Sequence, residues 1–320
     1  MSLSRLVTGS VDFDDFWEAK PLLSRDLGGL DDVLSPELLE ELIVEHGLRK
    51  PFFRMIKNGP LLPTAAYTRS IGSGATALNG VVDPRGVRDC LAGGATLVVT
   101  GLRLYLASVT RFCDLVSDDL GFPVHANAYL TPAQSRGAGA HYDFHSVFIR
   151  QVWGRKFWSI QAPVEELPHK RCPEGAQFDT PVVLETWLEP GDCLYLPRGY
   201  IHDGWTEDRA SLHLTFSMPD PQTWADIIVR ELRTRALEQS AELRSVLPMR
   251  FADNAPAVTS IAAERLKLIR GILDELEADE VATSAIRRFE PETWDIRQSD
   301  GFRGFLDVLE PNQDDTQTSP

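Results

Sequence analysis

The sequence predicts a mainly β core, a sandwich or barrel, with helices before it and a helical segment after it. Three observations carry this. From about residue 123 to 217, short strand-like runs are separated by turn signals. Before that stretch, proline-led segments with N-capping side chains read as helices. After Pro219, apolar residues recur at helical spacing.

The elements follow in chain order. Ser35-Pro36-Glu37 combines an N-cap, a first-turn proline and an acidic first turn, with Leu38, Leu39, Leu42 and Ile43 on one face. Asp83-Pro84 repeats that start, and Gly93-Gly94 ends a short helix. Ala95 to Thr100 is a β-branched run that reads as a buried strand. Residues 103–118 form an amphipathic pattern closed by Gly121. Strand-like runs follow at Val124–Leu130, Ala140–Trp153, Lys156–Ile160, Cys193–Leu196 and Ala210–Met218. Gly154-Arg155 and Glu189-Pro190-Gly191-Asp192 supply turns between them. Residues 221–247 and 255–280 read as helices, and the terminal EPNQDDTQTSP as a disordered polar tail.

Composition narrows the function classes. The net charge of −15 repels nucleic-acid phosphate, so direct nucleic-acid binding is not expected. It would attract a basic protein or peptide, although acidity also serves solubility alone. The N-terminal MSLSRLVTGSVDFDDFW lacks the apolar core of a secretory signal. The longest apolar run, Ala92 to Leu102, is too short to span a bilayer and contains three glycines. A cytoplasmic protein without membrane contact is the expectation. Four cysteines without CxxC spacing argue against structural zinc and fit reduced thiols. Only six lysines stand against 26 arginines, so a lysine inside a motif draws notice.

His141-Tyr142-Asp143 is an HxD element within a run that reads as a strand, which would point His141 and Asp143 to the same face. Two histidines and one carboxylate on one face of an octahedron commonly hold Fe(II) in oxygenases. The third ligand should come from a distant strand brought alongside, and His202, which the Pro197-Arg198-Gly199-Tyr200 turn would present at a strand entrance, is the candidate. The alternative for His141 is a hydrogen-bonded core histidine, because HxD alone recurs by chance. His145, on the expected same strand face, reads as a supporting or partly exposed residue rather than a fourth ligand. Ser211, His213 and Thr215 alternate with Leu212, Leu214 and Phe216, which implies either a wet pocket or a half-exposed edge strand.

The ordered motifs resemble a known family. Asn127-Ala-Tyr129-Leu-Thr-Pro, Ser135-x-Gly137, His141-Tyr-Asp143, Val147-Phe-Ile and Gln151-Val-x-Gly154-Arg-Lys156-x-Trp158 are similar to the JmjC-type cupin oxygenases, in particular the ribosomal oxygenase (cupin-4) subgroup. Gly191-Asp192-x-Leu-Tyr195-x-Pro197-Arg-Gly199-x-x-His202-Asp-Gly and Ser211-Leu-His213-Leu resemble the second half of that core, and Phe16-Trp17-x-x-Lys20-Pro21-Leu22 its opening segment. The likeness is densest from about 123 to 217 and thin after 290.

This resemblance implies a double-stranded β-helix (jelly-roll, cupin) with Fe(II) on His141, Asp143 and His202. It implies 2-oxoglutarate as cosubstrate with its far carboxylate on Lys156, and O2 as oxidant. Asn127, Tyr129, Ser211 and His213 would add contacts around metal and cosubstrate. The implied reaction is hydroxylation of an arginine or histidine side chain in a protein or peptide. N-methyl demethylation, a cupin metalloenzyme that does not use 2-oxoglutarate, and a non-catalytic cupin that binds a partner are the rivals. Residues 1–219 would form the oxygenase core with its N-terminal helices, 220–283 a helical segment that makes a homodimer, and 284–320 a short remnant and tail. The subgroup's winged-helix domain does not fit in the residues left after about 283.

Overall fold

The computed structural model describes residues 2–173, 175–218 and 223–288. The chain divides into two compact units, Met1–Pro221 and Gln222–Pro320. The expected tail falls outside the described residues.

In the first unit the strands are β1 Leu22–Ser24, β2 Phe53–Ile56, β3 Thr68–Ile71, β4 Leu78–Val82, β5 Thr96–Val99, β6 His125–Thr131, β7 Val147–Gly154, β8 Lys156–Gln161, β9 Val182–Leu188, β10 Cys193–Leu196, β11 Ile201–Trp205 and β12 Ser211–Ser217. Seven of them form one sheet in the order β1-β10-β7-β12-β6-β5-β2, and β11-β8-β9 form a second. Every pairing in both is antiparallel. The helices of this unit are α1 Pro36–Glu45, α2 Pro84–Ala92 and α3 Ala107–Leu120.

Period-2 alternation builds the layers. Leu212, Leu214 and Phe216 of β12, with Phe148 and Val152 of β7, join Leu39 and Leu42 of α1 and Val109, Phe112 and Val116 of α3 in the larger core. The opposite faces of β7 and β10 supply Val147, Ile149, Leu194 and Leu196, which meet Trp158, Ile160 and Leu188 of the smaller sheet. Two sheets facing across an apolar layer give the jelly-roll expected from the sequence. Arg150 shows the alternation most plainly. Lying between Ile149 and Gln151, it points away from the inner layer, is fully buried, and donates to the backbone carbonyls of Arg5, Gly28, Gln151 and Asp192.

Local signals explain the helices. The Ser35 hydroxyl accepts from Leu38 N–H, and Asp83 caps α2 through Arg85 N–H. Gly121 closes α3 with φ of 70°. β5, β6, β8, β10 and β12 fall within a residue or so of the runs read from the sequence. Ala140–Trp153 needs correction. Only Val147 onward is strand β7, and the HxD element lies in the preceding loop.

In the second unit α4 Trp224–Gln239, α5 Ala241–Arg244, α6 Ala255–Asp274 and α7 Ala278–Arg288 replace the two long helices expected from the sequence. Side-chain caps account for the breaks. Ser240 accepts from Leu243 N–H and starts α5, and Glu280 accepts from Glu277 N–H just before α7. α4 packs on α6 and α7, and Arg235 pairs with Glu231 and with Glu280 of α7. Among the described residues no helix is long and apolar enough to cross a membrane.

Candidate active site

An isolated antiparallel bridge, rather than strand alternation, brings the two histidines together. His141 N–H donates to the His202 carbonyl at 3.2 Å, and His202 N–H donates to the His141 carbonyl at 2.8 Å. Gly199 N–H donates to the Asp143 carbonyl at 2.9 Å, tying the loop to the turn before β11. His202 is the second residue of β11. One ligand-type atom from each of His141, Asp143 and His202 lies within 4.8 Å of the other two.

The hydrogen bonds set the tautomers. Nδ1 of His141 lies 2.8 Å from the Gly139 carbonyl, and Nδ1 of His202 lies 3.1 Å from the Tyr200 carbonyl. A carbonyl only accepts, so each Nδ1 carries a proton and Nε2 is the ring nitrogen left to ligate. Burial pushes the His202 imidazole well below its ordinary pKa, with His141 beside it adding to the shift. The 3.9 Å approach of His202 Nε2 to Asp143 Oδ2 is therefore a neutral contact, not an ion pair. Two imidazoles and one carboxylate with ligand atoms this close together fit a facial Fe(II) site.

Lys156 opens β8 and is 4% exposed. Its Nζ donates to Thr131 Oγ1 at 3.3 Å, and Thr131 Oγ1 accepts from Thr96 Oγ1 at 3.1 Å. The ammonium also sits 5.1 Å from the centre of the Trp158 ring. No acidic side chain pairs with it among the described residues. Burial alone lowers its pKa to about 7. Gly204 makes room for it: a Cβ there would lie 3.0 Å from Lys156 Cε and 2.9 Å from Trp158 Cε3.

A cavity of about 280 Å³ contains both groups. His141, Asp143, His202, Lys156, Tyr129 and His213 all line it. The Tyr129 and His213 rings stack at 4.8 Å, and Trp158 meets His213 edge-on at 5.4 Å. Burial, with Asp143 adding to it, raises the Tyr129 phenol to about 12, so it keeps its proton. Burial holds His213 neutral, with Lys156 adding to the shift. His213 and Thr215 of the polar row on β12 thus face a pocket, and β12 is central between β6 and β7 rather than at an edge.

The remaining expectations separate. Asn127 lines an outer cleft of about 1000 Å³ whose floor shares His141, Asp143 and Tyr129 with the cavity. Ser211 lines neither: it is fully buried and accepts from Gln151 Nε2 at 2.9 Å. His145 lies in the outer cleft, outside the three-residue group and off any strand, and its buried Nδ1 has no partner among the described residues. Arg155 pairs with Asp208 on the surface.

Sequence reading missed Thr131, Thr96 and Arg54. Arg54 sits on β2, and the register Arg54–Val98–Tyr129–His213 runs straight across four strands. Its signal was an arginine inside the apolar run Phe53–Ile56.

A model of the JmjC domain matches residues 103–226, a span that holds the whole three-residue group and Lys156. Residues 103–226 are thus similar to a JmjC domain. It is 37% identical over 187 residues to a Brugia malayi protein named bifunctional lysine-specific demethylase and histidyl-hydroxylase NO66, covering 55% of this chain and 26% of that one. It is also 37% identical over 168 residues to human ribosomal oxygenase 1, covering 50% and 26% respectively. The chain therefore spans about a quarter of the length of these two curated relatives. A solved structure of ycfD from E. coli superposes with a TM-score of 0.51 at 19% identity, over 81% of this chain and 68% of that one, a likeness of fold. The matched span includes β6 to β12 of the jelly-roll, while β1, β2 and β5 and the cavity residues they carry lie before it.

Proposed function

We propose that this chain is an Fe(II)- and 2-oxoglutarate-dependent oxygenase that hydroxylates an arginine or histidine side chain of a protein or peptide. The observation that carries it is one cavity with a three-ligand group at one end and a buried lysine without an acidic partner at the other. The relatives' names, ribosomal oxygenase and histidyl-hydroxylase, favour a protein substrate. The net charge of −15 favours long-range capture of a basic one.

In this reading His141, Asp143 and His202 would hold the iron, a donor set that leaves it able to bind cosubstrate and O2. Bound Fe(II) supplies the activation of O2, with oxidation of 2-oxoglutarate to succinate and CO2 and insertion of one oxygen into a C–H bond. Lys156 takes the far carboxylate of the cosubstrate, and Thr131 steadies the ammonium. Near neutral pH, arrival of that carboxylate draws a proton onto Lys156, because an adjacent anion raises a pKa that burial has lowered. Tyr129, protonated, donates a hydrogen bond into the cavity. Val147, Ile149 and Trp158 exclude water from it.

The test is turnover of purified protein with Fe(II), 2-oxoglutarate and cell lysate. The expected result is succinate release and peptides heavier by one oxygen, both absent without 2-oxoglutarate. No succinate and no mass gain would overturn the reading. Lysine demethylation is a second reading, favoured by the first relative's name, and formaldehyde release would mark it.

The helical unit is proposed as the dimer interface. Trp224, Val229, Leu266 and Leu273 are 68%, 61%, 52% and 45% exposed. Light scattering that gives a mass near 35.7 kDa would refute a dimer.

A further inference from the structure

The chain is strongly acidic, yet the walls of the outer cleft are not. Its described lining includes Arg54, Arg171, His125 and His145, and its one described carboxylate is Asp143, already committed to the three-residue group. Arg54 has no ion-pair partner among the described residues and lies where the cleft meets the inner cavity, since it lines both. The row across β2, β5, β6 and β12 puts it on the same transverse line as Tyr129 and His213. Arg171 stands at the outer side, 5.8 Å from the Phe144 ring.

Charge balance gives this weight. With iron and 2-oxoglutarate in place, the two charges of the metal and the one on Lys156 are matched by Asp143 and the two cosubstrate carboxylates. Among the described residues, Arg54 then remains as a half-buried cation at the mouth with no counter-charge. A guanidinium entering from a substrate would meet it without a counter-charge, which is the repulsive element that specificity commonly uses. An uncharged side chain meets no such barrier, and a carboxylate beside it would pair with a fork of donors already in place.

We infer that Arg54 and Arg171 set substrate specificity: the cleft accepts an uncharged target residue with an acidic neighbour and rejects a cationic target. Long-range attraction of a basic protein by the acidic surface is compatible with this, because steering acts on the whole partner and the cleft acts on the residue presented. The inference rests on the oxygenase reading for its charge balance, and of the two targets named in that reading it selects histidine, in its neutral form, over arginine.

The experiment is affinity selection from a pooled synthetic peptide library. The central residue is histidine, glutamine or arginine, and the flanks are acidic, neutral or basic. Full-length protein loaded with Fe(II) and 2-oxoglutarate is immobilised under nitrogen, so retention is read without turnover, by mass spectrometry. Wild type should retain acid-flanked peptides with an uncharged centre at least about tenfold over base-flanked arginine peptides. Arg54→Lys should keep that ratio, Arg54→Gln should bring it near one, and Arg54→Glu should invert it. Arg171→Glu should move it in the same direction by less. Each ratio is taken within one protein whose melting curve is recorded, so a variant of altered stability still reports preference. Equal ratios in wild type and Arg54→Glu, or a wild-type preference for arginine-centred peptides, would overturn the inference. Admitting air to the same columns reads the oxygenase activity separately. Arg54-dependent retention without any oxygen gain would sink the oxygenase reading and leave the cleft's selectivity standing.

Discussion

At one end of the inner cavity, His141 and His202 are locked by a two-way backbone bridge, and each Nδ1 is engaged by a carbonyl. At the other end, Lys156 has a single hydroxyl acceptor at 3.3 Å and is held by packing against Trp158 and Gly204. The first end is organised by directed hydrogen bonds before anything binds. The second is poised by desolvation: its ammonium is short of an anion and its pKa has fallen to about 7. The contrast suits the two occupants proposed for them. A metal site needs fixed lone pairs, whereas a carboxylate site gains most from a cation that has already lost its water.

The strongest way to break this comparison is at the rigid end. Asp143→Ala should abolish succinate release, lowering it by more than the roughly 100-fold that loss of an outer hydrogen-bond partner costs a metal site. The melting temperature without metal should stay at the wild-type value, because the fold uses the Asp143 backbone carbonyl and the substitution leaves it in place. Wild-type succinate output from this variant would remove the three-residue group from the mechanism.

At the lysine end the effect should fall on the cosubstrate. Lys156→Ala leaves a buried carboxylate unpaired, a cost of about 3–5 kcal/mol. The half-saturating 2-oxoglutarate concentration should rise by at least about 100-fold, with metal affinity near wild type. An unchanged 2-oxoglutarate requirement would point to another cation. Arg150 and Arg155 are not available for that, being held by backbone carbonyls and by Asp208 respectively, which leaves Arg54.

Desolvation at Lys156 also predicts a sign for pH. In the unfolded chain this lysine binds its proton up to about 10.5, while in the folded protein it releases it near 7. Between those values the unfolded state holds more protons, so the contribution of Lys156 to stability becomes less unfavourable as pH rises from about 7 towards 10.5. Lys156→Met should remove that slope and stabilise the protein at pH 7 in the absence of 2-oxoglutarate. Denaturant midpoints of wild type and variant across this range give the difference directly. Parallel pH profiles would mean that the lysine is not desolvated.

How far the sequence led differs between the two ends as well. Lys156 was legible because a rare lysine stood at a motif position beside a turn, and β8 begins where the run LysPheTrpSerIle begins. The histidine pair was found through the motif, but its geometry was not. HxD reads as strand alternation, and the structure instead uses a loop residue bridged to β11, a contact between positions 61 residues apart that no local period encodes. The turn before His202 does mark a strand entrance, and β11 begins there, but Ile-His-Asp-Gly-Trp has too few apolar residues to show its extent. β2 hid Arg54 for a similar reason, being four residues long. Ser211 shows the opposite error. It continues the polar row of His213 and Thr215, but a register shift between Leu212 and His213 accompanies its turn to Gln151.

The smallest predicted effect tests whether the lysine end has any directed component at all. Thr131 Oγ1 lies between Thr96 Oγ1 and Lys156 Nζ, and Thr131 is fully buried on the last position of β6. Thr131→Val preserves the shape and the β-branching, so β6 should pair as before. It removes an acceptor from the ammonium and a partner from Thr96. A single hydrogen bond to a charged group contributes about 1.5–3 kcal/mol when directed, and a long one less. At 3.3 Å the expected cost is about 1 kcal/mol, a rise of about fivefold in half-saturating 2-oxoglutarate with little change in kcat. Thr131→Ser should restore most of the loss, since it returns the hydroxyl. If Thr131→Val left 2-oxoglutarate affinity unchanged, packing alone would hold Lys156. A loss as large as that of Lys156→Ala would instead make Thr131 a direct contact of the carboxylate.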